Sequence, residues 1–282
     1  MKKGIALLIA AVLLIQLAFA GCGNGGAKED GAAGINITVF AAASLSTVME
    51  ELIGAYRQEH PEVTFTTSFD SSNTLMEQIE NGFVCDVFFS AAQKQMNELE
   101  ENGFVVAGTR ADIVNNRVCV VTYRDSDTAV TGLADLGSAA SLALAAGSVP
   151  VGKYTRQALK NAGMIETEKA ADEITTAEIS EALGGVEINE CANVSVVKNA
   201  VAEKSNEVGT IYYSDLFGFE DQLVVLEQVP YELTGNVIYP AAQIVNAEAD
   251  ENAAAAAASF VEFLRSDTAR AIFERYYFDT NV

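Results

Sequence analysis

The sequence has little positive charge, one His, four Cys and no Trp. Its 282 residues include 17 Lys and Arg against 39 Asp and Glu, a formal net charge of −22. A chain this acidic repels phosphates, which excludes nucleic acid as a partner. One His and four widely spaced Cys also argue against a site that coordinates zinc, copper or haem directly. Hydrophobic residues make up 50% of the chain, enough for a core, and its length suggests two lobes.

The longest apolar run predicts that the chain is exported. Residues 5–20 are almost wholly apolar, follow Lys2 and Lys3, and end in the small residue Ala20. As a helix this run spans about 24 Å, short for a bilayer core of about 30 Å, which favours an export signal over an uncleaved anchor helix. Both alternatives place the rest of the chain outside the cytoplasm, on a membrane surface.

Residues 19–22, FAGC, resemble the lipobox of bacterial lipoproteins, in which the Cys is acylated and becomes the N-terminus. Phe19 departs from the usual Leu. We therefore predict a lipoprotein signal peptide over residues 1–21, lipidation at Cys22 and a flexible, Gly- and Ala-rich tether over residues 22–34. The lipid would anchor the protein to the outer face of the cytoplasmic membrane, on the periplasmic or cell-surface side.

The other three cysteines, Cys85, Cys119 and Cys191, are far apart in the sequence. Buried thiols are the simplest interpretation of these residues. One disulfide between two of them is the alternative in an oxidising compartment, and the spacing favours no particular pair.

Strand and helix patterns alternate along residues 35–282. Residues 35–40 alternate in the manner of a strand, and from Ser44 apolar residues recur at steps of three and one until Pro61, which indicates an amphipathic helix. Further strands are predicted at residues 63–69, 86–90, 117–123, 142–146, 209–212 and 237–245. This order of strands and helices predicts an α/β fold with largely parallel sheets.

Four predicted helix starts carry small or hydroxyl residues directly after a strand: AAASL (41–45), FDSSNTL (69–75), VPVGKY (149–154) and ECANVS (190–195). Free N–H groups at a helix start carry a partial positive charge and favour an anion. A single Ser at such a place is more simply an N-cap, as Ser44 would be in the first segment and Ser71 and Ser72 in the second. The four segments together favour an anion-binding site.

These segments resemble the molybdate-binding proteins of ABC importers, the ModA family. The matching stretches run in the family order: TVFAAASL (38–45), FDSSNTL (69–75), DVFFSAAQKQM (86–96), VPVGKY (149–154), GTIYYSD (209–215), YP (239–240) and ARAIFERYYF (269–278). The resemblance implies a two-lobed periplasmic-binding-protein fold, in which each lobe is a mixed, mostly parallel sheet flanked by helices. With two hinge crossovers, lobe 1 would comprise residues 35–117 plus 238–282, and lobe 2 residues 118–237.

The resemblance also implies which residues contact the ligand. Two serines would use their hydroxyl and backbone N–H groups, two valines their backbone N–H groups and one tyrosine its hydroxyl: Ser44, Ser72, Val151, Val194 and Tyr212. Asp70 stands where the family commonly has a small residue. Because a carboxylate repels a dianion, we expect Asp70 to point away from the pocket.

The function that the resemblance implies is that of an extracytoplasmic solute-binding lipoprotein. It would capture molybdate, and tungstate with little discrimination, and deliver it to an ABC permease and its ATPase. The protein would hold the metal only through the oxygens of the oxyanion, need no cofactor and act as a monomer. Molybdate is a fully deprotonated dianion, so a site made only of donors selects it over hydrogen phosphate.

Two alternatives stay open. The same fold could bind another tetrahedral oxyanion such as sulfate, from which pocket size alone would separate molybdate. An enzyme, for instance a serine hydrolase, is disfavoured because a serine nucleophile needs a base nearby. The one His, His60, lies beside a Pro at a predicted helix end, so we expect no enzymatic activity.

Overall fold

The structure is a computed structural model, and it describes residues 34–282. The predicted signal peptide (1–21), the predicted lipidation site Cys22 and all but the last residue of the predicted tether (22–34) lie outside the described residues. Within the described range, no helix combines the length and the apolar content that a membrane span needs.

Residues 34–282 form ten β-strands and nine α-helices in an order that largely alternates. The strands are β1 (Ile35–Ala42), β2 (Val63–Asp70), β3 (Val87–Phe89), β4 (Ala111–Asn116), β5 (Val118–Tyr123), β6 (Ser141–Ala145), β7 (Glu187–Cys191), β8 (Val208–Tyr212), β9 (Leu223–Gln228) and β10 (Val237–Gln243). The helices are α1 (Ser46–Glu59), α2 (Ser72–Glu80), α3 (Gln93–Glu101), α4 (Pro150–Asn161), α5 (Thr176–Ala182), α6 (Val194–Ala202), α7 (Tyr231–Thr234), α8 (Glu251–Phe263) and α9 (Asp267–Arg275).

The strands form two five-stranded sheets, one in each lobe. The first sheet has the order β2-β1-β3-β10-β4 and the second the order β7-β6-β8-β5-β9. The predicted two-lobed α/β fold with mixed sheets is therefore confirmed. Antiparallel pairing is more extensive than expected, because β5 and β10, the strands that enter from the other lobe, each run antiparallel to both neighbours.

The chain passes between the two sheets twice. Arg117 alone separates the end of β4, in the first sheet, from the start of β5, in the second. The return lies between Gln228 at the end of β9 and Val237 at the start of β10. Helix α8 then packs on β1 and β10, and α9 packs on α1, so the C-terminal residues complete the first lobe.

Helices cover both faces of the first sheet. In β1, Val39 and Ala41 pack in one hydrophobic cluster, whereas Phe40 packs in another with Leu75 of α2. Because successive residues of a strand point to opposite faces, α1 and α2 lie on opposite sides of this sheet. The predicted apolar face of α1 is buried through Val48, Met49, Leu52 and Tyr56.

The cysteines of the described range, Cys85, Cys119 and Cys191, are separate and buried thiols. Burial raises the pKa of all three thiols above the ordinary value, so they stay protonated at neutral pH. The interpretation of these residues as buried thiols is confirmed.

Candidate functional site

The five predicted ligand residues lie together in the lining of one cavity between the lobes. Ser44 follows β1, and Ser72 begins α2 in the first lobe. In the second lobe Val151 belongs to the first turn of α4, Val194 begins α6 and Tyr212 ends β8. The cavity measures about 10 Å³, roughly the space that one water molecule needs. The two lobes therefore enclose the site closely.

Three helices, α2, α4 and α6, begin in the cavity lining, as the sequence patterns predicted. The first N–H groups of a helix have no acceptor within that helix, so they are available to a ligand. Pro150 occupies the first position of α4 and has no N–H, which makes Val151 the first donor of that helix. The partial positive charges of three helix starts meet at one cavity and favour an anion.

Ser71 and Ser72 have different roles at the start of α2. Ser71 is the N-cap, because its Oγ accepts a hydrogen bond from Thr74 N–H at 3.1 Å. Ser72 does not cap the helix, contrary to the prediction, because it is already the first helical residue. Its Oγ accepts from Ala91 N–H at 2.9 Å, which leaves the hydroxyl proton available to donate.

Ser44 also differs from its predicted role as an N-cap. After β1 the chain makes a 3₁₀ turn over Ala43–Leu45, so α1 begins only at Ser46. The Ser44 hydroxyl makes no capping bond; its Oγ lies 3.0 Å from the hydroxyl oxygen of Tyr239, in a buried contact.

The Tyr212 hydroxyl is buried and has no hydrogen-bond partner among the described residues. Burial raises the pKa of Tyr212 well above its ordinary value, so the hydroxyl keeps its proton and is a donor. Leaving such a group unpaired costs about 1–3 kcal/mol. The cavity therefore favours a ligand that accepts hydrogen bonds.

Among the described residues that line the cavity there is no Lys, Arg or His, and Asp70 is the one charged side chain. We expected Asp70 to point away, but it belongs to the lining. Asp70 Oδ1 accepts from Ser71 N–H at 2.7 Å and from the side-chain amide of Asn193 at 3.1 Å. Asn193 Oδ1 caps α6 by accepting from Val196 N–H at 3.1 Å, which fixes the orientation of this amide. The Asp70–Asn193 bond thus joins the two lobes at the cavity.

A second contact joins the lobes outside the cavity. Lys94 of α3, in the first lobe, forms an ion pair with Asp172, in the second lobe. The hydrogen bond from Lys94 lowers the pKa of the Asp172 carboxyl. Both contacts need the lobes to lie close together, so the structure has the closed arrangement.

Replacing Asp70 with Asn is expected to tighten oxyanion binding by roughly 1 kcal/mol, about fivefold in Kd. Asn keeps an acceptor for Ser71 and Asn193 but removes a negative charge that would repel an anionic ligand. Isothermal titration calorimetry with molybdate measures the change. In the companion variant Asn193→Ser, the cap of α6 stays and the bond to Asp70 is lost, so binding should weaken. Weaker or unchanged binding by Asp70→Asn would contradict a repulsive role for the carboxylate.

Asp215 holds the backbone of Tyr212 by a hydrogen bond. Its Oδ2 accepts from Tyr212 N–H at 3.0 Å. Burial raises the pKa of Asp215 to about 6, against the opposing effect of the nearby Lys198 ammonium. Lys198 is itself buried and lies over the ring of Phe219, 4.2 Å from its centroid. The backbone of Tyr212 is therefore fixed independently of its free hydroxyl.

Arg156 supports the start of α4 from inside the second lobe. Its side chain has no exposed surface. The guanidinium donates to the carbonyl oxygens of Ala145 at 2.7 Å, Gly152 at 3.0 Å and Ile174 at 2.8 Å. These bonds tie the end of β6 to the first turn of α4, which carries Val151.

The fold and the cavity define a class of protein: two lobes that enclose a small site where helix starts and hydroxyl groups meet. The sequence profile of the bacterial extracellular solute-binding proteins matches residues 37–279, and the chain belongs to this family.

The chain is similar to several bacterial transport proteins over most of its length. Molybdate-binding protein ModA of Escherichia coli (strain K12) is 32% identical over 275 residues, 93% of this chain and 94% of that one. YvgL of Bacillus subtilis (strain 168), named as a substrate-binding lipoprotein of an ABC transporter, is 26% identical over 279 residues, 99% of each chain. A solved structure described as the substrate-binding domain of a molybdenum ABC transporter from Clostridium difficile is 30% identical, with a TM-score of 0.64, over 88% of this chain and 99% of that one.

The protein is a solute-binding protein and not an enzyme, as its family and relatives establish. His60, the one imidazole that could serve a serine as a base, stacks on Tyr56 at the end of α1, with ring centroids 4.3 Å apart. It is not among the cavity residues. His60 therefore does not lie beside the serines of the cavity as a base would.

Proposed function

We propose that the protein captures molybdate, and tungstate with little discrimination, and delivers it to an ABC permease and its ATPase. The observation that carries the proposal is the buried Tyr212 hydroxyl, which has no partner among the described residues and lies where three helices begin. The similarity to ModA of Escherichia coli supports molybdate as the ligand.

The donors of the cavity suit a dianion that only accepts hydrogen bonds. Ser44 and Ser72 would each offer a hydroxyl and a backbone N–H, Val151 and Val194 a backbone N–H each, and Tyr212 its hydroxyl. Hydrogen bonds to a charged partner contribute roughly 1.5–3 kcal/mol each, and association costs about 4–15 kcal/mol. The balance is compatible with micromolar to nanomolar affinity.

The ligand would act by holding the lobes together. We take lobe 1 as residues 35–117 plus 238–282 and lobe 2 as residues 118–237. An oxyanion that bonds to both lobes stabilises the closed state by its differential affinity. The closed form would then be the one that the permease recognises.

The protein would carry out this capture outside the cytoplasm. The lipobox-like residues 19–22 support lipidation at Cys22 after removal of residues 1–21. The name of the similar Bacillus subtilis protein, a lipoprotein, supports the same anchor. We propose a monomer that is attached through the tether to the outer face of the cytoplasmic membrane.

The variants Ser44→Ala, Ser72→Ala and Tyr212→Phe are each expected to weaken molybdate binding by roughly 1–3 kcal/mol, because each removes one donor to a charged ligand. Calorimetry on the purified residues 22–282 measures the three affinities. Tyr56→Phe is the matched control, since Tyr56 is buried in the first lobe, outside the cavity lining. Unchanged affinity in all three variants would refute the site.

Titrations of the unmodified protein separate molybdate from the alternative oxyanions. Molybdate and tungstate should bind with similar affinity, and sulfate and hydrogen phosphate more weakly. Sulfate has the same charge and shape but is smaller, so its rejection depends on the size of the closed cavity. Equal or tighter binding of sulfate would assign the protein to another oxyanion on the same fold.

A further inference from the structure

We propose that Tyr239 and Asn116 are positioning residues that fix the direction of the Ser44 hydroxyl proton, so that Ser44 donates into the cavity. This inference rests on the proposed function, because it concerns how the same site selects an anion that carries no proton. Neither residue belongs to the cavity lining.

The orientation of the Asn116 amide is set by the backbone. Asn116 Oδ1 accepts from Arg117 N–H at 2.9 Å, so the other end of the amide must be the NH₂ group. Its Nδ2 donates to Ser214 Oγ at 2.8 Å and to Tyr239 Oη at 3.2 Å. The two amide protons therefore have two acceptors, and Asn116 acts on Tyr239 only as a donor.

Tyr239 can then donate its own proton only to Ser44. Tyr239 is fully buried, and in the described part of the chain its hydroxyl makes hydrogen bonds with just Asn116 Nδ2 and Ser44 Oγ. The ring of Tyr212 packs against Tyr239, but the Tyr212 hydroxyl makes no hydrogen bond to a described residue. If Ser44 donated to Tyr239 instead, the phenolic proton would be buried without an acceptor, which is unfavourable. Burial also raises the pKa of Tyr239 well above its ordinary value, so this proton is retained.

Ser44 consequently receives a hydrogen bond from Tyr239 and keeps its own proton for the cavity that it lines. Ser72 has the same arrangement, because its Oγ accepts from Ala91 N–H. With the Tyr212 hydroxyl, these residues present three protons to a ligand. An oxyanion that carries a proton, such as hydrogen phosphate, needs an acceptor, and Ser44 and Ser72 each already use one acceptor position for a donor of the protein. The carboxylate in the lining, Asp70, is also engaged, because its Oδ1 accepts from Ser71 N–H and from the Asn193 amide.

The same network spans the crossing between the lobes. Asn116 is the last residue of β4, directly before the crossing at Arg117. One of its amide protons goes to Tyr239 of β10, in the first sheet, and the other to Ser214, which follows β8 of the second. The direction of the Ser44 proton is thus set from the hinge region.

Tyr239→Phe tests the inference, because it removes one hydroxyl and keeps the ring that packs against Tyr212 and Phe278. Without a donor on Ser44 Oγ, the Ser44 hydroxyl can rotate and accept as well as donate. We expect roughly five- to thirtyfold weaker molybdate binding. We also expect the ratio of molybdate to hydrogen phosphate affinity at pH 7 to fall by about tenfold. Tyr56→Phe, a buried Tyr whose hydroxyl bonds to Ala256 O in the first lobe, should leave both quantities unchanged.

The ratio of molybdate to hydrogen phosphate affinity shows whether Tyr239 positions the Ser44 proton or only packs against its neighbours. An equal loss of affinity for both anions would show that Tyr239 only packs, and would overturn the inference. Unchanged affinities in Tyr239→Phe, together with a loss in Ser44→Ala, would overturn it while leaving the proposed function intact. If the unmodified protein bound none of the four oxyanions, the proposed function itself would fail.

Asn116→Asp provides an independent test of how the direction of the Ser44 hydroxyl proton is fixed. The carboxylate has nearly the same shape but only accepts, so the Tyr239 proton would turn towards it and away from Ser44. The ratio should fall as it does in Tyr239→Phe, with folding checked by thermal denaturation. A folded Asn116→Asp variant with the unmodified ratio would contradict the inference, and if this variant does not fold, Tyr239→Phe alone decides.

Discussion

Replacing Gly152 with Ala is expected to abolish measurable molybdate binding and to lower the free energy of unfolding by several kcal/mol. Gly152 lies in the first turn of α4, directly after Val151, where the helix packs on the end of β6. A Cβ at this position would lie well inside 3.0 Å of backbone atoms of Ala145 and Ala146. Because backbone atoms of a paired strand cannot rotate aside, α4 would have to move away and carry the Val151 N–H with it.

Calorimetry and chemical denaturation of Gly152→Ala measure the two effects. The matched control is Gly54→Ala, since Gly54 lies in the middle of α1 and a Cβ there meets no atom within 4 Å. Because Ala is the better helix former by about 1 kcal/mol, the control should be slightly stabilised and bind as the unmodified protein does. A folded Gly152→Ala variant with unchanged affinity would show that the position of the α4 start does not matter for binding.

Much of the fold could be predicted from the periodicity of the sequence, and the exceptions share one property. The strands β4, β7 and β9 were not predicted, and all three lie at the edge of a sheet. The fourth edge strand, β2, was predicted, so the position at an edge does not by itself explain the three failures. Strand β4 buries Asn115 and Asn116, which interrupt its apolar run, whereas β7 and β9 are mostly unburied, so burial imposes no periodic pattern on them. Strand β7 is an example, because only Cys191 among its five residues is buried. The central strands, buried on both faces, gave clear apolar runs.

The candidate site was predicted from helix starts and from a family resemblance, and the structure brings those residues into one cavity. Their binding role stays a prediction. What the sequence could not indicate is the set of contacts between distant segments. Ser44 and Tyr239 are 195 positions apart, and Asp70 and Asn193 are 123 apart. Periodicity assigns each residue to a face of a strand or helix, but it does not pair faces from separate elements.

The strongly negative formal charge is compatible with an anion site, because formal charge does not count the backbone N–H groups and hydroxyls that line this cavity alongside Asp70. Backbone N–H groups and hydroxyls carry only partial charges, which helix starts concentrate at one place. The surface charge aids solubility and does not set ligand specificity. Arg156 is a buried cation of α4, and its hydrogen bonds to carbonyl oxygens of the protein engage its guanidinium.

Replacing Arg156 with Met is therefore expected to act mainly through structure, lowering the free energy of unfolding by about 3–5 kcal/mol. Met fills a similar volume but leaves the carbonyl oxygens of Ala145, Gly152 and Ile174 buried without their donor. Burial lowers the pKa of Arg156 to about 10, so the unmodified side chain is still charged at neutral pH. Glu190 lies 3.7 Å away with half of its side chain exposed, so we attribute the larger effect to the carbonyl bonds.

Chemical denaturation measures the stability of Arg156→Met. The control is Arg57→Met, because Arg57 of α1 is exposed. This control should change the free energy of unfolding by less than about 1 kcal/mol. Arg156→Lys separates charge from hydrogen bonding, because Lys keeps the charge but cannot reproduce the planar guanidinium fork. If Arg156 positions the α4 start, both Arg156 variants should weaken molybdate binding. If it acted through its charge on the anion, Lys would restore the affinity while the stability remained low, and that result would contradict the positioning role.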